Sequence, residues 1–150
     1  MRFEAVAPRW RAAWREHYGR YAAALGEPVD DAIAAAVWDW LLTRHHGVEG
    51  LLAVDDAGEL AGFTHFRPFP RTLHGNEAGF LDDLWVAEQH RGTGLAQKLI
   101  AEVCALARER GWTEVRWVSD AHNAAARRLY DRVATDGLLV TYRILLPRPA

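Results

Sequence analysis

Two glycines, Gly92 and Gly94, stand between an apolar stretch and a long amphipathic one, and this junction constrains the fold more than any other feature of the chain. Phe80 to Val86 has the composition of a strand. From Gly94 to Arg110, residues Leu95, Leu99, Ile100, Val103, Leu106 and Ala107 recur at spacings of three and four, so they share one side of a helix, and Gly111 follows its end. A strand that enters such a helix through a glycine turn must lay the apolar side of the helix on a sheet, which asks for an α/β architecture.

The remaining pattern agrees. Phe3 and Ala5 alternate with polar neighbours as a short first strand, and Pro8 opens a helix running to Leu25, with Trp10, Ala13, Trp14, Tyr18, Tyr21 and Ala22 on its stripe and Gly26 after it. Asp30 or Asp31 caps a second helix whose stripe is Ile33, Val37, Trp38, Leu41 and Leu42, stopped by His45-His46-Gly47. Leu51 to Asp55 and Leu60 to Phe66 form a hairpin about Asp56-Ala57-Gly58-Glu59. Arg67 to Asn76, with Pro68 and Pro70, is expected to be a loop. After the long helix, Val115 to Val118 is expected as a strand, Ala124 to Val133 as a short helix and Leu138 to Leu146 as a long final strand. The expected fold is therefore a single-domain α/β mixed sheet over residues 1–150, with about six to seven strands and helices on both faces.

Composition narrows the function. At 150 residues with formal net charge -2 and pI near 6.4, the chain lacks the basic face that phosphate-driven binding demands, so no nucleic-acid partner is expected. Cys104 is alone, which excludes disulfides within the chain. No run of about 18 apolar residues occurs, and Met1-Arg2-Phe3-Glu4 lacks the basic-then-apolar order of a secretory signal, so no membrane partner and a cytoplasmic location are expected. His45 and His46 have no ligand spacing with Cys104 or a carboxylate pair, and no metal is expected. Most of the seven tryptophans are expected to pack in the core.

The turn itself points to an anion. Glycines beside a helix N-terminus let a ligand approach the backbone, and the unpaired first-turn amides and helix dipole favour a group such as pyrophosphate. Gln97 stands where a dinucleotide fingerprint needs glycine, and no Gly-Lys-Ser/Thr follows, so neither nucleotide motif is present.

Gln89-His90-Arg91-Gly92-Thr93-Gly94 fits Q/R-x-x-G-x-G/A, and Asn123-Ala124-Ala125-Ala126-Arg127-Arg128-Leu129-Tyr130 fits N-x-x-A-x-x-L/F-Y. Together they resemble the acetyl-CoA signature and the late helix of the GCN5-related N-acetyltransferases (GNAT). Phe80-Leu81-Asp82-Asp83-Leu84-Trp85-Val86 is similar to the fourth strand of members that acetylate small amines, polyamines included. Leu129 through Arg143 resembles a fungal histone or amino-acid acetyltransferase branch.

The resemblance implies a sheet splayed between strands four and five, with acetyl-CoA as cosubstrate. It implies that the backbone amides of Arg91, Gly92, Thr93, Gly94 and Leu95, following Gln89, hold the pyrophosphate. It further implies that pantetheine pairs with the strand at Leu84, Trp85 and Val86, that Asn123 bonds pantetheine or orders its loop, and that Tyr130 sits near the sulfur.

The implied reaction is direct attack of an amine on the thioester, with no acyl-enzyme. An alkyl amine of pKa about 10.4 is almost wholly protonated at pH 7, and reaching the neutral nucleophile costs about 4.6 kcal/mol, so a base is needed. Asp82 is favoured for that role through water, with Asp83 holding the ammonium. On a regular strand the two would face opposite ways. His65 is expected either to face the acceptor or to be satisfied within the sheet, while Trp10, Trp14, Trp38 and Pro68 to Asn76 mark the expected acceptor pocket. Cys104 is expected to act as a small hydrophobe. The reading is a small-molecule amine N-acetyltransferase. The alternatives are an acyl-CoA sensor without turnover and a protein N-terminal or lysine acetyltransferase. The apolar final strand makes a homodimer the expected assembly.

Overall fold

A computed structural model describes residues 1–147. The chain forms two compact units, divided after Val118. In the first, five strands follow one another across a single sheet in chain order: β1 (Arg2–Ala5), β2 (Glu49–Val54), β3 (Leu60–Arg71), β4 (Asn76–Val86) and β5 (Val115–Arg116). The first three neighbouring pairs are antiparallel, and β4 and β5 are parallel. Helices α1 (Arg11–Ala24) and α2 (Asp31–Thr43) precede β2, and α3 (Leu95–Glu109) connects β4 to β5.

Local chemistry sets these boundaries. The Asp30 carboxylate accepts the Ile33 amide at 2.8 Å and caps α2. Asp55 accepts the amides of Ala57 and Glu59 and closes the β2–β3 turn. Trp10, Trp14, Trp38, Leu41, Leu52, Val54, Phe63 and Trp85 form one core under α1 and α2, while Leu51, Ala53, Ala61, Phe66, Leu95, Leu99, Val103 and Trp112 form the other under α3. Helices therefore cover both faces.

Two expectations are corrected. Arg67 to Asn76 is mostly strand, because β3 runs on to Arg71 and pairs Pro68 with Gly79 and Pro70 with Glu77. Proline is tolerated because β2 stops pairing at Phe66, so the edge of β3 opposite β4 needs no donor there. The second correction is Leu138 to Leu146. No strand forms there, the sheet has five strands among the described residues, and Leu138, Leu139, Val140, Tyr142, Ile144, Leu145 and Leu146 are 73–89% exposed. An alternating apolar segment becomes a strand only when a neighbouring ladder takes its hydrogen bonds, and no described strand pairs with this one.

The second unit contains α4 (Ala124–Val133), whose Asn123 cap accepts the Ala126 amide at 3.1 Å.

Candidate active site

The first element of the site is a gap in the sheet. Strand β5 pairs with β4 only at Gly79 and Phe80, whereas β3 pairs with β4 as far as Val86. From Leu81 to Val86, including Leu84, Trp85 and Val86, one edge of β4 thus has no strand beside it among the described residues. Apart from the Val86 carbonyl, which accepts from Arg91 Nε, the backbone groups on that edge are left for an extended ligand.

The second element is the turn after β4. A 3₁₀ turn, Glu88–His90, containing Gln89 leads into Arg91, whose Nε donates to the Val86 carbonyl at 3.3 Å and whose guanidinium lies 4.9 Å over the Trp85 ring. The Thr93 hydroxyl donates to the His90 carbonyl at 2.6 Å. Gly92 and Gly94 have φ of +75° and +81°, and a Cβ on either would meet nothing within 4 Å. Their backbone conformation requires glycine, and the space beside them is open. Gly94 caps α3 without a side-chain acceptor, so the first amides of α3, beginning at Leu95, are left for a ligand.

The third element is a carboxylate pair on a β-bulge. Across β3 and β4, His65 faces Asp83 and Phe66 faces Leu81, which leaves Asp82 as the extra residue. The bulge breaks the alternation expected of a regular strand. Asp83 bonds His65 at 2.8 Å, and Asp82 accepts from Arg67 Nε at 3.1 and 3.3 Å. His65 and Arg67 are two residues apart on β3 and share a face, so both carboxylates are engaged from one side of the sheet.

Their electrostatics differ. Burial pushes Asp83 up, but hydrogen bonds from His65 and Tyr21 outweigh it and hold the carboxyl below its ordinary value. Burial pushes Asp82 up and prevails: the Arg67 charge opposes it, while Asp83 nearby adds to it. One member of the pair is held as an anion, and the other has increased proton affinity.

The orientation of Asp83 comes from a buried chain that the sequence does not reveal. His65 is 1% exposed, and its Nε2 takes a hydrogen bond from the Trp14 indole at 3.0 Å. An indole can only donate, so Nε2 carries the lone pair and the Nδ1 proton points to Asp83. His65 is a satisfied sheet residue, bonded at both ring nitrogens and buried from solvent. Tyr18 stacks on Trp14 at 4.7 Å, and burial, with the Asp83 charge, pushes its hydroxyl up to about 12. Trp85 likewise donates to His17 Nδ1 at 3.1 Å, and burial lowers the His17 pKa.

Trp10, Trp14 and Trp38 are buried in the core, and Trp14 and Trp38 also line a cavity of about 150 Å³ between α1 and α2, with Arg11, Arg15, Asp31 and Ala34. Cys104 is half-buried, and burial raises its thiol pKa. Tyr130 lies on α4 in the second unit, with its pKa raised by burial. Among the described residues no group of three or more His, Cys, Asp or Glu could hold a metal ion, and no helix is long and apolar enough to cross a membrane.

The fourth strand with one open edge ends in a glycine turn at the open head of a long helix, and residues 7–134, which contain both, match the Acetyltransferase (GNAT) family, to which the chain belongs. It is an N-acetyltransferase of that family. It is 30% identical over 139 residues to the D-amino-acid N-acetyltransferase HPA3 of Saccharomyces cerevisiae, across 91% of this chain and 86% of the yeast protein. Among solved structures it is similar to the ribosomal-protein-alanine N-acetyltransferase of Brucella melitensis biovar Abortus 2308, with TM-score 0.81 and 26% identity, covering 97% of this chain and 100% of that one. The aminoglycoside 6'-N-acetyltransferase AAC(6')-IG of Acinetobacter haemolyticus shares the fold alone, with TM-score 0.75 and 18% identity over 100% of this chain and 99% of that one.

Proposed function

We propose that the protein moves an acetyl group from acetyl-CoA to the primary amine of a small molecule, by direct attack in a ternary complex. The observation that carries this reading is the continuity of the free β4 edge, Leu81 to Val86, with the uncapped head of α3. A diphosphate binds the amides of Arg91 to Leu95, and the extended pantetheine arm pairs with Leu84 to Val86 in place of the missing strand. A backbone N–H on that edge then polarises the thioester carbonyl. The family match crosses the division between the two units, which supports treating residues 1–150 as one acetyltransferase domain.

Asp83, held ionised, anchors the ammonium. Asp82, with the higher proton affinity, takes the proton through water, since a base works best when its pKa approaches the working pH. Asn123 orders the entry to α4 or bonds pantetheine. Tyr130 hydrogen-bonds the departing sulfur. Full proton transfer from a phenol of pKa about 10 to a thiolate of about 8.5 is uphill by about 2 kcal/mol, so donation of a hydrogen bond is the role proposed. The name of the yeast relative supports a small amino-acid acceptor.

Release of CoA thiol in the presence of acetyl-CoA and a panel of amines, amino acids and short peptides tests the reading. Turnover on a small amine or amino acid is expected, and Tyr130→Phe should lower kcat with little change in acetyl-CoA affinity. Saturable acetyl-CoA binding with no turnover on any acceptor would overturn catalysis in favour of a sensor.

The exposed apolar segment Leu138 to Leu146 supports a homodimer, because a second copy supplies the surface that buries it. A cytoplasmic location fits the same reading. Sedimentation at micromolar concentration is expected to give a dimer; a monomer throughout would remove this part of the proposal.

A further inference from the structure

We propose that Arg67 is the carboxylate-binding residue of the acceptor site, and that the acceptor is a free α-amino acid with its ammonium on Asp83 and its carboxylate on the Arg67 guanidinium. This rests on the acetyl-transfer reading and names its substrate class.

Three observations carry it. His65 and Arg67 are two residues apart on one face of β3, about 7 Å by strand geometry, and Asp83 is bonded to the first of them. In an α-amino acid one carbon separates ammonium from carboxylate, so with a hydrogen bond of about 2.8 Å at each end it spans neighbouring groups of this spacing.

The second observation is how Arg67 is held. Its Nε is taken by Asp82, and the Phe80 ring lies 4.8 Å from the guanidinium carbon. Its two terminal nitrogens have no hydrogen-bond partner among the described residues. The side chain is 35% exposed. A guanidinium clamped by one edge and one ring, with its fork left over, is prepared for a planar bidentate anion.

The third observation is the order of charges along this face. An anion at Asp83 stands beside the Arg67 guanidinium, which meets Asp82 through Nε alone and keeps its fork for a second anion, and together they complement a zwitterion. A peptide N-terminus carries an amide where the carboxylate would be and leaves the fork empty.

The experiment measures kcat and KM for D- and L-amino acids and for their primary amides, with the full-length wild type, Arg67→Gln and Arg67→Lys. Wild type is expected to prefer at least one amino acid over its amide. Arg67→Gln should lower the ratio of kcat/KM between the two at least tenfold, through KM for the amino acid, and Arg67→Lys should recover part of it. Comparing ratios between enzyme forms cancels the different basicities of the two amines. Acetyl-CoA affinity, measured alongside, reports whether the variant is folded. Equal losses on acid and amide would assign Arg67 to bracing Asp82 and the bulge, and overturn the proposal. Wild-type turnover of amides but no amino acid would also overturn it while leaving acetyl transfer intact. No turnover on any amine would remove both.

Discussion

Gly94→Trp is expected to weaken acetyl-CoA binding by about 10²- to 10⁴-fold while the chain stays folded. Two charge-assisted hydrogen bonds from the head of α3 to a diphosphate contribute about 1.5–3 kcal/mol each, and every 1.4 kcal/mol is tenfold in Kd. A tryptophan there has nothing of the protein within 4 Å of its first carbon, so the ring extends into the open space beside the amides. The structural penalty is separate and smaller. Gly94 has φ +81°, where a side chain costs about 1–2 kcal/mol, against a total stability of about 5–15 kcal/mol. Gly94→Ala carries the same backbone strain without the bulk, and it should keep most of the affinity. Calorimetric titration with acetyl-CoA, with thermal unfolding of both variants, separates blockage from strain. Undiminished binding by Gly94→Trp would take the diphosphate away from this turn.

That turn was legible in the sequence because its information is local. Two glycines, a strand before them and an amphipathic period after them suffice to imply a glycine-headed helix on a sheet, and Leu95 to Glu109 is that helix. The carboxylates were legible as residue types, since two aspartates inside an apolar strand need partners. Their partners were not legible. That His65 and Arg67 engage Asp83 and Asp82 depends on a register slip of one residue between β3 and β4, which nothing in the alternation of either strand announces. The Trp14–His65 bond joins residues 51 apart in the chain, so only the packed core brings them together. Pro68 and Pro70 misled in the opposite direction: proline argues against a central strand, but β3 is an edge on one side by the time it reaches them. Leu138 to Leu146 has strand composition yet forms none, because composition does not say where the second ladder comes from.

Asp83→Asn is expected to lower kcat/KM for the amine about 30- to 4,000-fold, carried mainly by KM. The asparagine oxygen still accepts from His65 Nδ1, which the Trp14 bond keeps in the donating tautomer, so the change removes charge and leaves the geometry of the chain in place. Removing one partner of a buried charge pair costs about 2–5 kcal/mol, which sets the range. Asp82→Asn should act differently. If Asp82 takes the proton, activity needs its ionised form, so kcat/KM falls as pH drops through the Asp82 pKa; because burial raises that value, the acidic limb lies above the pH at which an ordinary aspartate titrates. Asp82→Asn should then lower kcat and abolish the limb, whereas Asp83→Asn should retain it, since Asp83 is held below its ordinary value and stays ionised across the limb. Full pH profiles of both variants distinguish base from anchor. A limb lost in Asp83→Asn and kept in Asp82→Asn would exchange the two roles, and the buried Trp14–His65 chain would then serve to orient the base.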